Sequence, residues 1–164
     1  MRVIRQVLRF KSDLAHMFPT IYDDALAHPN LFHWFGTAEP EFDAWLTALP
    51  LHAHPGLVDF WRRTGGGELF ESETLLGPLI AEESDNVLKV NEFHWSKGMP
   101  GGMLIFHIGM NLSASFVDRH RHRNRLVLFR QGSYEVEQWF DTFNCWYRDK
   151  LRLEYASRYG LLSP

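Results

Sequence analysis

Residues 55–70 read Pro55-Gly56-Leu57-Val58-Asp59-Phe60-Trp61-Arg62-Arg63-Thr64-Gly65-Gly66-Gly67-Glu68-Leu69-Phe70, and within them one structural period gives way to another. Leu57, Val58 and Trp61 share one side of a short helix that starts at Pro55. Gly65, Gly66 and Gly67 stop it. A helix that must turn into a strand within three residues needs positive φ, which glycine adopts without steric cost. A phosphate-cradling loop would need the opposite order, a strand before the glycines and a helix with Lys-Ser/Thr after them. Beyond the glycines lie short apolar segments, Glu68 to Phe70 and Leu75 to Ile80. Gly77-Pro78 interrupts the second, which suits an edge strand or a loop.

Working towards the N-terminus, Pro40 opens a helix to Ala48 whose stripe is Phe42, Trp45, Leu46 and Leu49, closed by Pro50. Thr20 to Gly36 reads as irregular, and Val3, Ile4, Val7, Leu8, Leu14 and Met17 predict a first helix from Arg2 to Met17. Towards the C-terminus, Asp85 to Trp95 fits either period and Lys97 to Gly102 is a turn. Met103–Gly109, Ser113–Asp118 and Leu126–Arg130 read as strands, with the polar run Arg119 to Arg125 as a hairpin loop. Ser133 is placed to cap a long closing helix striped by Val136, Trp139, Phe140, Phe143, Tyr147 and Leu151. The expected class is α+β, with N-terminal helices, a central antiparallel sheet and a long C-terminal helix packed on it.

At 164 residues the chain has room for one domain, and 45% hydrophobic against 23% charged residues gives it the means to build a core. No apolar run approaches membrane-spanning length, and no secretory signal is read at the N-terminus. The single cysteine excludes an internal disulfide framework and fits a reducing, cytoplasmic setting. Charge is uneven. Between Glu39 and Glu92 eleven acids stand against Arg62, Arg63 and Lys89, while both flanks are basic. Such a block steers a basic partner, and it also serves simply as a solvated face.

The order of elements then meets specific residues. Leu49-Pro50, Leu57-Val58-Asp59-Phe60-Trp61 and Thr64-Gly65-Gly66-Gly67-Glu68-Leu69-Phe70 resemble the signature of the SUKH superfamily, the Smi/Knr-type fold. There a Leu-Pro leads to a short helix and a glycine turn that feeds the first strand. Val90-Asn91-Glu92-Phe93 is similar to that family's helix ending, Met103 to Gly109 to its following strand, and Trp139-Phe140 to its last helix. The likeness covers residues 48–151, leaving 1–40 as an N-terminal elaboration. Met110-Asn111-Leu112-Ser113 replaces the Gly/Asp-rich turn usual after Ile-Gly. The resemblance implies a helix over Asp85 to Trp95, and a non-enzymatic binding module. In bacteria many such proteins look like immunity proteins against polymorphic toxins, often nucleases or deaminases.

Chemistry-bearing patterns are thin. His52 and His54, and His120 and His122, are spaced to share a strand face, but neither pair has a nearby carboxylate. His94 and His107 could meet across helix and sheet, but the expected role of each is a hydrogen-bonded core or boundary histidine. Cys145 reads as a half-buried inert thiol. No Gly-x-Ser-x-Gly, His-Glu-x-x-His or Walker segment occurs, so no catalytic residue, metal site or cofactor is expected. The loop Arg119-His120-Arg121-His122-Arg123-Asn124-Arg125 is dense in cations. It lacks the interleaved aromatics on which a single-strand binder stacks bases, so direct nucleic-acid contact is not expected.

The reading is therefore an immunity protein that occludes a cognate protein toxin, with no membrane partner. Its expected contact residues are Glu68, Glu71, Glu73, Glu82, Glu83 and Asp85, while Trp61 and Phe70 belong to the core. A regulatory scaffold of the cell-wall-regulator type is the alternative, and a small metal-dependent enzyme using the histidines a third.

Overall fold

The computed structural model describes residues 18–37 and 40–161. The helix expected over Arg2 to Met17 lies outside them. Five helices and seven strands follow in the order α1 (Ile21–Ala27), β1 (Phe32–Trp34), α2 (Glu41–Ala48), α3 (Pro55–Thr64), β2 (Gly67–Leu69), β3 (Glu73–Leu75), α4 (Val87–Ser96), β4 (Met103–Ile108), β5 (Leu112–Asp118), β6 (Arg123–Phe129) and β7 (Val136–Phe140). The closing helix α5 has three parts: Phe143–Trp146, a π-helical stretch Tyr147–Arg152, and Leu153–Tyr159. The strands form one antiparallel meander in chain order, with β1 and β7 at its edges. The class is α+β. Among the described residues no helix is long and apolar enough to cross a membrane.

The glycine hinge works through two separate constraints. Gly65 ends α3 at φ 72° and Gly66 follows at φ 95°, a region that disfavours any Cβ. Gly67 is extended, but a Cβ there would lie 2.6 Å from the His33 carbonyl oxygen, so the third glycine lets β2 close against β1. At the other end of α3, His54 supplies the cap. Its Nδ1 accepts from the Gly56 N–H at 3.0 Å while Nε2 donates to the Asp141 carbonyl at 3.0 Å.

A core of aromatic and aliphatic side chains joins the helices to the sheet. Phe143 stacks on Phe60 at 5.1 Å, Trp146 meets Phe106 edge-on at 4.8 Å, and the indole of Trp61 donates to the Leu76 carbonyl at 2.8 Å. Where β3 ends, α4 takes over its place beside β4. The buried Asn91 carboxamide accepts from the Ile105 N–H and donates to the Ile105 carbonyl, both at 2.7 Å, so a side chain completes the ladder that β3 is too short to pair. This helix is the one that the resemblance implied for Asp85 to Trp95.

Two expectations are corrected. The closing helix does not start at Ser133: that residue sits in a turn, and Val136 to Phe140 is the edge strand β7, with Leu126 opposite Phe140. The apolar residues on either side of Asp141-Thr142 happen to keep a helical spacing. The break is chemical, because the Thr142 hydroxyl accepts from the Cys145 N–H at 3.1 Å and caps α5 there. Thr20 to Gly36 is not irregular. Thr20 and Asp23 form a capping box that starts α1, and Phe32 to Trp34 pairs with β2. Of the edge strand or loop read over Leu75 to Ile80, the structure has the loop: Leu75 ends β3, and residues 77–86 are pinned by a bridge between Gly77 and Asn86.

Candidate functional site: an acidic groove at the sheet edge

The turn between β2 and β3 places Phe70 at φ 50° and Glu71 at φ 65°, two successive left-handed positions without a glycine. Such a turn carries the twist a tight hairpin wants but costs free energy for any residue with a Cβ. Tertiary contacts hold it. Phe70 is fully buried, stacks on Tyr155 at 4.6 Å, meets Phe32 edge-on at 5.2 Å, and gives its N–H to the Leu31 carbonyl at 3.0 Å. Burying Phe70 leaves Glu71 standing at the tip with its side chain 75% exposed. On β2, Glu68 alternates outward between the buried Gly67 and Leu69, opposite His33 on β1 and Thr74 on β3. Asn30, His33, Glu68, Glu71, Ser72, Glu73 and Thr74 line a groove of about 300 Å³. Glu71 is partly answered at home, by Arg158 Nη2 at 3.8 Å and the Tyr159 hydroxyl at 3.3 Å.

Glu73 is not a surface acid, and its expected contact role is corrected. It is 4% exposed because β3 turns it inward beneath the groove, where it is the hub of a buried network. His107 Nε2 donates to one carboxylate oxygen at 2.5 Å and the Tyr155 hydroxyl donates to the other. His107 Nδ1 then accepts from the Ser113 hydroxyl at 3.0 Å, and Ser113 Oγ accepts from the Trp146 indole at 3.0 Å. The Ser72 hydroxyl reaches Tyr155 at 2.9 Å. Burial pushes the Glu73 carboxyl up. Hydrogen bonds from His107 and Tyr155, with the charge of Lys150, outweigh it and hold the group below the usual carboxylate range. Burial keeps the His107 imidazole below its ordinary value, hence neutral, and burial together with Glu73 pushes Tyr155 up to about 12.

The sequence Ser113–His107–Glu73 has the order of a nucleophile, a base and an orienting acid. Ser113 and His107 are each 0% exposed, so in this structure no substrate reaches the hydroxyl, and the network ties β3, β4 and β5 to α5. The remaining expected acids lie elsewhere. Glu82 and Glu83 are exposed and Asp85 half-buried in the loop that leaves β3 from the end opposite the Glu71 turn. The structure therefore brings Glu68 and Glu71 together over Glu73 and puts the other three at the far end of the strand.

His107 and His94 do not meet. His94 Nδ1 instead contacts the Tyr134 hydroxyl at 2.8 Å. Residue spacing held no signal for the network, since Glu73 is 34 positions from His107 and 82 from Tyr155. Both ring nitrogens of His54 are used, Nδ1 in the α3 cap and Nε2 on the Asp141 carbonyl, and among the described residues no group of three His, Cys, Asp or Glu could hold a metal ion. No protein-family model and no curated protein matches this chain.

Proposed function

We propose that this chain is a non-enzymatic, cytoplasmic immunity protein of the SUKH type, which binds and neutralises a cognate protein toxin, a nuclease or a deaminase, through its acidic edge. One observation carries the reading. Glu68 and Glu71 flank a groove at the β1–β3 edge, and Glu71 is fixed there by a turn that needs the buried Phe70 to persist. Nucleases present basic, phosphate-binding clefts, and carboxylates offered to such a cleft raise the association rate and reject partners of the wrong sign. The sequence likeness over residues 48–151 supports the same reading. Glu82, Glu83 and Asp85 serve as a second acidic element at the other end of β3, where a broad toxin face would reach them.

Rescue in cells tests this. The product of a toxin-like reading frame beside the gene is expressed alone, with this chain, and with its Glu68→Lys/Glu71→Lys variant. Growth should stop, recover, and stop again. A neighbour that is harmless alone, or full protection by the charge-reversed variant, contradicts the proposal.

A further inference from the structure

The fold supplies what the arginine-rich loop lacks in sequence. Arg119 to His122 form the tip between β5 and β6, shaped by Asp118, whose carboxylate accepts from the N–H groups of His120 at 3.0 Å and Arg121 at 3.1 Å. Arg119, His120, Arg121, His122 and Arg123 are all exposed. Arg121 has only a 3.8 Å contact to Asp118, and its side chain is 71% exposed. Below the tip, Arg123 and Arg125 face the same side of β6, roughly 7 Å apart by strand geometry. Arg125 then meets an aromatic surface drawn from two other strands. Its guanidinium lies 4.9 Å over the Trp139 ring of β7 while Nε donates to Asp141 at 3.1 Å. Phe116 of β5 reaches across β6 to meet the same indole edge-on at 5.5 Å. Trp139 is 40% exposed, whereas the other five tryptophans are buried or half-buried.

We infer that this face of β5, β6 and β7 binds single-stranded nucleic acid, with the hairpin arginines on the phosphates and the open side of Trp139 under a base. The two features belong together in such a site. A cationic run gives salt-dependent attraction along the backbone, and an exposed ring gives stacking that tolerates any base. An acidic peptide would need the arginines alone, and would make no use of the part of the Trp139 ring that Arg125 and Phe116 leave exposed. Of the acids, the Glu68 and Glu71 pair is kept away from the arginines, while Glu82, Glu83 and Asp85 leave β3 from its other end. The hairpin tip and the Glu71 turn lie at opposite ends of the sheet, because β4 and β5 pair Ile108 with Leu112 beside the Glu71 turn and Met103 with Phe116 towards the tip. The inference is independent of the acidic groove and revises the expectation, made from the loop alone, that nucleic acid is not contacted.

The test is fluorescence anisotropy of a labelled single-stranded oligothymidine of about 12 nucleotides, a length that covers a typical single-strand site. Binding should appear at low salt and weaken steeply between about 50 and 200 mM. The triple variant Arg119→Glu/Arg121→Glu/Arg123→Glu should abolish it. Trp139→Leu should weaken it on the order of tenfold, the effect of losing one stacked base. Circular dichroism melts check that each variant is folded, and the exposed arginines keep the test valid even if Trp139→Leu is not. No binding at low salt, or binding unchanged by the triple variant, overturns the proposal. So does a folded Trp139→Leu protein of unaltered affinity, or a glutamate-rich peptide of equal length that competes as well as the oligonucleotide; the latter result assigns the face to an acidic protein instead.

Discussion

Replacing Glu73 separates its role as a buried hub from any role at an interface. In Glu73→Ala the His107 Nε2–H and the Tyr155 hydroxyl both lose their acceptor inside a region where His107 is 0% exposed. Each orphaned donor costs about 1–3 kcal/mol. The expected loss of about 2–6 kcal/mol for the two is a large part of the roughly 5–15 kcal/mol available to a domain. Glu73→Gln should cost much less. Its amide oxygen can take the Tyr155 hydroxyl and its NH₂ can donate to His107 Nε2, provided His107 changes tautomer and donates from Nδ1 to Ser113. Only the Ser113 proton is then left to find a new acceptor, a penalty of about 1–2 kcal/mol. Acid should also separate the two proteins. The Glu73 pKa is held down in the folded state, so its contribution is full above the ordinary carboxyl value of about 4.3 and is lost as pH falls through the lowered one. Glu73→Gln removes that slope. Urea unfolding of the three proteins at neutral and acid pH measures all of this. An alanine variant within about 1 kcal/mol of the parent, or a glutamine variant as damaged as the alanine one, would refute the network as drawn.

Other perturbations probe the frame that holds the groove and the hairpin. Asn91→Leu leaves the Ile105 N–H and carbonyl without partners beside β4, and should lower stability by about 2–5 kcal/mol in denaturant titration; a loss below about 1 kcal/mol would show that β4 does not depend on this side chain. Gly65→Ala sets a Cβ 2.1 Å from the Gly36 carbonyl oxygen at φ 72°, so its melting temperature should fall well below that of Gly98→Ala, a positive-φ site with open space around it. Equal melting temperatures would mean that the hinge relaxes without cost. His54 is kept neutral by burial, so its cap is fully present above about pH 6.5 and fades as acid protonates Nδ1 against the Gly56 N–H. The stability gap between the parent and His54→Ala should therefore shrink from pH 7.5 towards about pH 5.5, and a widening gap would contradict the assigned tautomer.

The parts of the fold that depend on local rules were legible in the sequence. Gly65-Gly66 marks the end of α3 because left-handed backbone leaves few alternatives, and the short apolar runs after Met103, separated by turn residues, mark β4, β5 and β6. Two local signals went the wrong way. Val136, Trp139 and Phe140 satisfy a helical stripe in one dimension, yet they belong to a strand because β6 offers them a ladder, and Thr142 holds the true cap. Thr20-x-x-Asp23 is a capping box that the surrounding prolines and polar residues disguised. The candidate site was half legible. Glu68 and Glu71 were identifiable as acids after the hinge, but the burial of Glu73 depends on Phe70 turning the chain and on His107 and Tyr155 arriving from distant segments. The Trp139 platform was hidden for the same reason, since its partners Phe116 and Arg125 come from two other strands.

Calorimetric titration of this chain against the product of any toxin-like gene found beside its own, across a series of salt concentrations, tests the acidic edge most directly. For Glu68→Lys/Glu71→Lys the affinity should fall at least about tenfold, equivalent to about 1.4 kcal/mol, and its salt dependence should flatten, while folded Glu73→Gln binds as the parent does. An unchanged affinity and salt slope in the charge-reversed protein would place the contact on another surface.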